Sequence, residues 1–200
     1  MTTVKKVITQ ELIDESMSYE AYRTLLDELL KDNKTTGEDQ SDDMLNYAKM
    51  NIQRMKRLDK KMKLNDETIA VLSNLNQKQI WLTITEGWCG DAAQIVPVLN
   101  RIAGANSNID LRFILRDINL EVMDEFLTDG GRSIPKIIIL NPETLDVLTT
   151  WGPRPQDLQA FFVEEKQKED YTWSKLSKGL QLWYNKDKTE KIQSELMGLI

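Results

Sequence analysis

The heptapeptide Glu86-Gly87-Trp88-Cys89-Gly90-Asp91-Ala92 joins two runs of different periodicity. Before it, residues 80–85 (Ile-Trp-Leu-Thr-Ile-Thr) read as a strand. After it, residues 92–103 place Ile95, Val96, Leu99 and Ile102 on the inward face of a helix. Pro97 lies inside that helical run and predicts a kink, because proline removes one backbone hydrogen bond and clashes with the preceding turn. The turn between the two runs carries Cys89, the only cysteine in 200 residues.

The rest of the chain changes period near residue 66. Upstream, no strand pattern is present. Thr9 reads as the N-cap of a helix over 10–31, with Leu12, Tyr19, Tyr22, Leu26 and Leu29 at helical spacing. A loop over 32–37 leads to a second helix over 41–62, striped by Leu45, Ala48, Ile52, Met55, Leu58 and Met62. Its opposite face gathers Arg54, Lys56, Arg57, Lys60, Lys61 and Lys63. That cluster reads either as a solvated lysine-rich face or as an anion-binding one, with Arg54 and Arg57 the residues suited to grip an anion with two bonds.

Downstream, Asn65 or Asp66 caps a short helix over 67–75, and strands then alternate with helices. Strands are expected at 80–85, 110–116, 136–140 and 145–151, and helices at 92–103, 120–128 and 156–169. The turn Asn141-Pro142-Glu143-Thr144 makes the last two strands antiparallel, whereas helix-crossed strands pair in parallel. The final thirty residues are helical, with Leu176, Leu180, Trp183, Ile192 and Leu196 inward and Trp173, Trp183 and Tyr184 read as packing residues. The expected fold class is α/β: a mixed sheet of about four strands flanked by helices, with added helices at both ends. The expected divisions are a helical extension over 1–65 packed on the core, a core domain over 66–168 and a helical extension over 169–200.

Composition removes most chemistries. With no histidine, Ser-His-Asp and Cys-His catalysis and every histidine metal site are excluded. One cysteine makes neither an internal disulfide nor a cysteine-cluster zinc site. No Walker loop, no Gly-x-Gly-x-x-Gly and no EF-hand spacing occurs, so no metal and no cofactor is expected. A net charge of −6 argues against nucleic acid as a partner. Short apolar runs argue against a membrane, and the polar first residues against a signal peptide, so a cytoplasmic location is expected. The sequence leaves the oligomeric state open.

What survives is thiol chemistry at Cys89. A thiol at a helix start meets unpaired N–H groups and the positive end of the helix dipole, which favour the thiolate. Trp88 offers a flat apolar surface, Gly90 permits close approach of a partner, and Asp91 opposes a second negative charge.

The stretch Trp88-Cys89-Gly90-Asp91-Ala92 resembles the Trp-Cys-Gly-Pro-Cys site of thioredoxins, and the resemblance extends over about residues 66–165. Pro97 falls where thioredoxins kink their active-site helix, Ile134-Pro135 resembles their cis-proline loop, and Gly152 matches the glycine of their third substrate-facing loop. The resemblance implies a thioredoxin-like fold in which Cys89 is the nucleophile. Trp88, Gly90, Asp91, Ile134, Pro135 and Gly152 would face a substrate, with Ile134 pairing its backbone to an extended peptide. Arg54, Arg57, Arg132 and Arg154 are candidate anion-binding residues, whereas Arg116 reads as surface. Ala92 stands where the family has its resolving cysteine, and Thr83 where it has a buried aspartate. Two functions follow. One is monothiol exchange with a protein disulfide or thiol, or with a low-molecular-weight thiol, resolved from outside. The other is a non-catalytic peptide- or protein-binding module.

Overall fold

The computed structural model describes residues 7–200. Its sheet has four strands, β1 (Gln79–Thr85), β2 (Ile109–Leu115), β3 (Lys136–Leu140) and β4 (Val147–Trp151), in the order β2-β1-β3-β4. β1 pairs in parallel with β2, from Gln79 opposite Ile109 to Thr85 opposite Leu115. β3 runs antiparallel to β1 and to β4, with a bulge at Ile139 and Leu140. Every residue of β1 and β3 is buried. Helices therefore cover both faces of these central strands, which explains their unbroken apolar runs.

Nine helices occur among the described residues: α1 (Gln10–Glu15), α2 (Tyr19–Lys31), α3 (Asp42–Lys61), α4 (Asp66–Asn74), α5 (Ala92–Ala103), α6 (Leu120–Asp124), α7 (Gln156–Lys166), α8 (Trp173–Asp187) and α9 (Glu190–Met197). The caps have a plain chemical origin. Thr9, Ser18, Ser41, Asn65 and Thr172 each accept a hydrogen bond from a first-turn N–H of the helix that follows.

The helix expected over 10–31 is two helices. Its break at Ser16-Met17-Ser18 lets Met17 exchange hydrogen bonds with Phe113 at 2.9 and 2.8 Å, closing the outer edge of β2. Tyr22 then stacks on Phe113 with ring centroids 5.4 Å apart. The helix expected over 120–128 stops at Asp124. Beyond it, Asp129 and Gly130 take left-handed conformations and fold Thr128 back onto Gly131. β4 begins at Val147 because Leu145, left-handed at φ 57°, turns its buried side chain inward before pairing resumes. One buried apolar cluster runs from Ile8 through the sheet to Met197, so residues near both ends belong to the same core.

Candidate functional site

The turn between β1 and α5 is held from outside the sheet. Thr36 accepts a hydrogen bond from the Gly87 N–H at 2.8 Å, and Asn51 on α3 donates to the Gly87 carbonyl at 3.0 Å. A Cβ on Gly87 would lie 2.6 Å from the tip of the Leu26 side chain, a measure of how closely α2 packs on the turn. Within the turn the Cys89 N–H bonds to the Glu86 carbonyl at 3.2 Å, and the Ala93 N–H to the Cys89 carbonyl at 3.1 Å.

Cys89 is only 7% exposed. Its thiol donates to the carbonyl of Ile134 at 3.3 Å, and Sγ receives the N–H of Ala92 at 3.4 Å. Burial, followed by the charge of Asp91, pushes the thiol pKa from 9.0 up to about 12. The N–H groups of Ala92 and Asp91 and the charge of Arg154 pull the other way and do not prevail. The expectation that a helix-start position favours the thiolate is thus corrected: the local dipoles are present, but removing the sulfur from water outweighs them.

Asp91 is buried as well, and its burial raises its pKa while Arg154 pulls it back down. Arg154 pairs with it at 2.7 Å, and the hydroxyl of Tyr184 donates to it at 2.9 Å. The Arg154 guanidinium also lies 4.0 Å from the Phe162 ring centre, and its Nε has no hydrogen-bond partner. Thr83 is fully buried with its hydroxyl unpartnered.

Above the thiol opens a cleft of about 350 Å³. Trp88, Cys89, Gly90, Asp91 and Ile134 line it, as do Arg54, Arg132 and Arg154. Arg116, read from sequence as a surface residue, also lines it, with its guanidinium 4.7 Å from the Trp88 ring centre. Arg57 does not; it faces a different cavity. Arg116 pairs with Asp117, and Arg132 grips Asp124 with two hydrogen bonds of 2.6 and 2.8 Å. Arg54 donates to Asn51 at 2.8 Å and has no carboxylate partner among the described residues. Its pKa is lowered, first by burial and then by the charge of Arg57.

Pro135 and Gly152 stand behind the cleft rather than in its wall. The Ile134–Pro135 and Gly152–Pro153 peptides are both cis. Gly152 has φ 114°, and a Cβ there would sit 2.3 Å from the Pro135 carbonyl oxygen. Ile134 is 5% exposed, and its carbonyl accepts a hydrogen bond from the Cys89 thiol.

Sequence reading missed the fourth wall. Trp173, Ser177 and Gln181 on α8 line the cleft, and Tyr184 on the same helix reaches Asp91. Their spacing of four, four and three residues puts them on one helical face beside the apolar stripe, which is the signal available in the sequence. Trp173 also donates to Tyr47 of α3 at 3.0 Å, bridging the two extensions across the cleft. Among the described residues no cluster of metal-ligating side chains occurs, and no helix is long and apolar enough to cross a membrane.

The chain was compared with known proteins. No curated protein matches it. Two solved structures are similar in fold, a protein of unknown function from Pseudomonas aeruginosa and an HIV epitope-scaffold. Each is 16% identical, with a TM-score of 0.61 and 94% of both chains covered. A family model described as thioredoxin matches residues 37–172, which takes in all four strands, the Cys89 turn and α3. On that match the chain belongs to the thioredoxin family, with Cys89 its one cysteine.

Proposed function

We propose that this chain is a thioredoxin-fold binding protein that holds a small anionic molecule in the cleft over Cys89. The observation that carries the proposal is the convergence of Arg54, Arg116, Arg132 and Arg154 on one concave site whose single lining acid, Asp91, is already paired. Apolar surface from Met44, Trp88 and Trp173 completes walls of the kind small-ligand sites use. A small occupant suits this geometry better than an extended strand, because the cleft is a concave hollow of about 350 Å³ and Ile134 is only 5% exposed.

Isothermal titration with citrate tests the proposal. Wild type and Cys89→Ser are expected to bind alike, and Arg54→Gln to bind about tenfold more weakly. Iodoacetamide is expected to modify Cys89 at pH 7 roughly 30- to 100-fold more slowly than an unperturbed thiol, because a pKa of about 12 cuts the thiolate fraction more than the added basicity restores. No citrate binding in any protein would refute the reading. Thiol exchange is the second reading, supported by the Ala92 N–H aimed at Sγ and by the place of Cys89 in the cleft wall. It gains ground if wild type forms a reducible adduct with oxidised glutathione and citrate binding depends on the thiol.

A further inference from the structure

The basic cluster on α3 divides between two cavities. Arg54 faces the Cys89 cleft, whereas Arg57 and Lys61 face a second cavity of about 380 Å³ between α3 and the junction of α8 with α9. That volume lies within the roughly 300–1,000 Å³ usual for small-molecule sites. Its floor is apolar, formed by Leu58, Met62 and Ile192. Its rim carries three cations, Arg57, Lys61 and Lys188, and its lining contains no acid. Arg57 donates to Asn185 at 3.1 Å, and none of the three cations has an ion pair among the described residues. Lysines in the last turn of α3 complement the helix dipole. That accounts for charge on the helix but not for an apolar hollow beneath it, nor for Lys188, which belongs to another element. Lys188 projects from a backbone at φ 52°, followed by Thr189 at φ 74°. Left-handed backbone is uncommon for lysine and an outlier for a β-branched residue.

We infer that this second cavity is a binding site for a small amphipathic anion, with an alkyl body on the Leu58, Met62 and Ile192 floor and an anionic head between Arg57, Lys61 and Lys188. The head takes the place of the counter-charge that the three cations lack, and the body lies against the half-buried Leu58 and fills the hollow above the buried Met62 and Ile192. The cavity is separate from the Cys89 cleft yet shares a wall with it. Tyr184 and Gln94 line the second cavity. Tyr184 donates to Asp91 at 2.9 Å and Gln94 to Gln181 at 2.7 Å, and both acceptors line the cleft.

Octanoate is the probe, titrated calorimetrically with octanol as the uncharged control. Saturable binding of one octanoate per chain is expected, with octanol about tenfold weaker. The double variant Lys61→Gln, Lys188→Gly removes two cations, and glycine suits the left-handed backbone at 188, so its melting temperature should not fall. Octanoate affinity in that variant should drop about tenfold or more, and Arg116→Gln, on the other cleft, should leave it unchanged. Absence of saturable binding, equal binding of octanol, or an unchanged affinity in the double variant overturns the inference. Loss of binding in Arg116→Gln alone also overturns it, by placing the probe over Cys89.

Discussion

Gly152 is the residue whose identity is least negotiable. It combines φ 114° with a Cβ position 2.3 Å from backbone, so any side chain meets both strain and a clash that no rotamer relieves. Gly152→Ala is expected to lower stability by about 3 kcal/mol or more, read as a melting temperature lower by roughly 6–12 °C. Gly130 supplies the control: its φ is 75°, but nothing lies within 4 Å of its Cβ position. Gly130→Ala should cost about 1 kcal/mol, the conformational part alone. The same scale shows why the chemistry of Cys89 was only half legible. The strand, the turn, the proline in the helix and Ile134-Pro135 all point to this thiol from sequence. The direction of its pKa is set first by burial, and the cleft around it includes Tyr47, Trp173 and Gln181, which lie far from it in the chain.

Among the elements, α8 supplies a wall of the site that comes from outside the matched sheet and its turn. Its Tyr184 is 93 residues from the Asp91 it touches, so no local pattern reveals the pair. Asp91→Asn leaves the nearly buried Arg154 without its counter-charge and is expected to cost about 3–5 kcal/mol in urea denaturation. Tyr184→Phe removes one hydrogen bond but leaves the ion pair, and should cost about 1–2 kcal/mol. Because the three groups share one network, the double variant should fall short of the sum of the single effects. Elements with strong local signals were readable: α5 and β3 lie where apolar period and turn residues place them. The break between α1 and α2 was not. Ser16-Met17-Ser18 leaves the helical stripe intact, and the reason for the break is a hydrogen-bonding partner on β2, almost a hundred residues away.

For the whole molecule, the continuous core from Ile8 to Met197 ties the thiol to global stability. The folded pKa of Cys89 is raised above its ordinary value of 9.0 to about 12. The neutral thiol therefore stabilises the fold fully below pH 9, and that contribution is lost as pH rises from 9 towards 12. The gap in unfolding free energy between wild type and Cys89→Ala should move against wild type across that window, by up to about 1.4 kcal/mol per pH unit. Chemical denaturation of both proteins at several alkaline pH values reads it directly. The burial of Cys89 at the base of the cleft has a kinetic consequence too. A reagent too large for the cleft meets the chain's lone thiol only while the cleft walls stand apart, so labelling runs at the intrinsic rate multiplied by the fraction of time they do. Cys89 thereby serves as a clock for the opening of the cleft around it, with no second thiol to confuse the count.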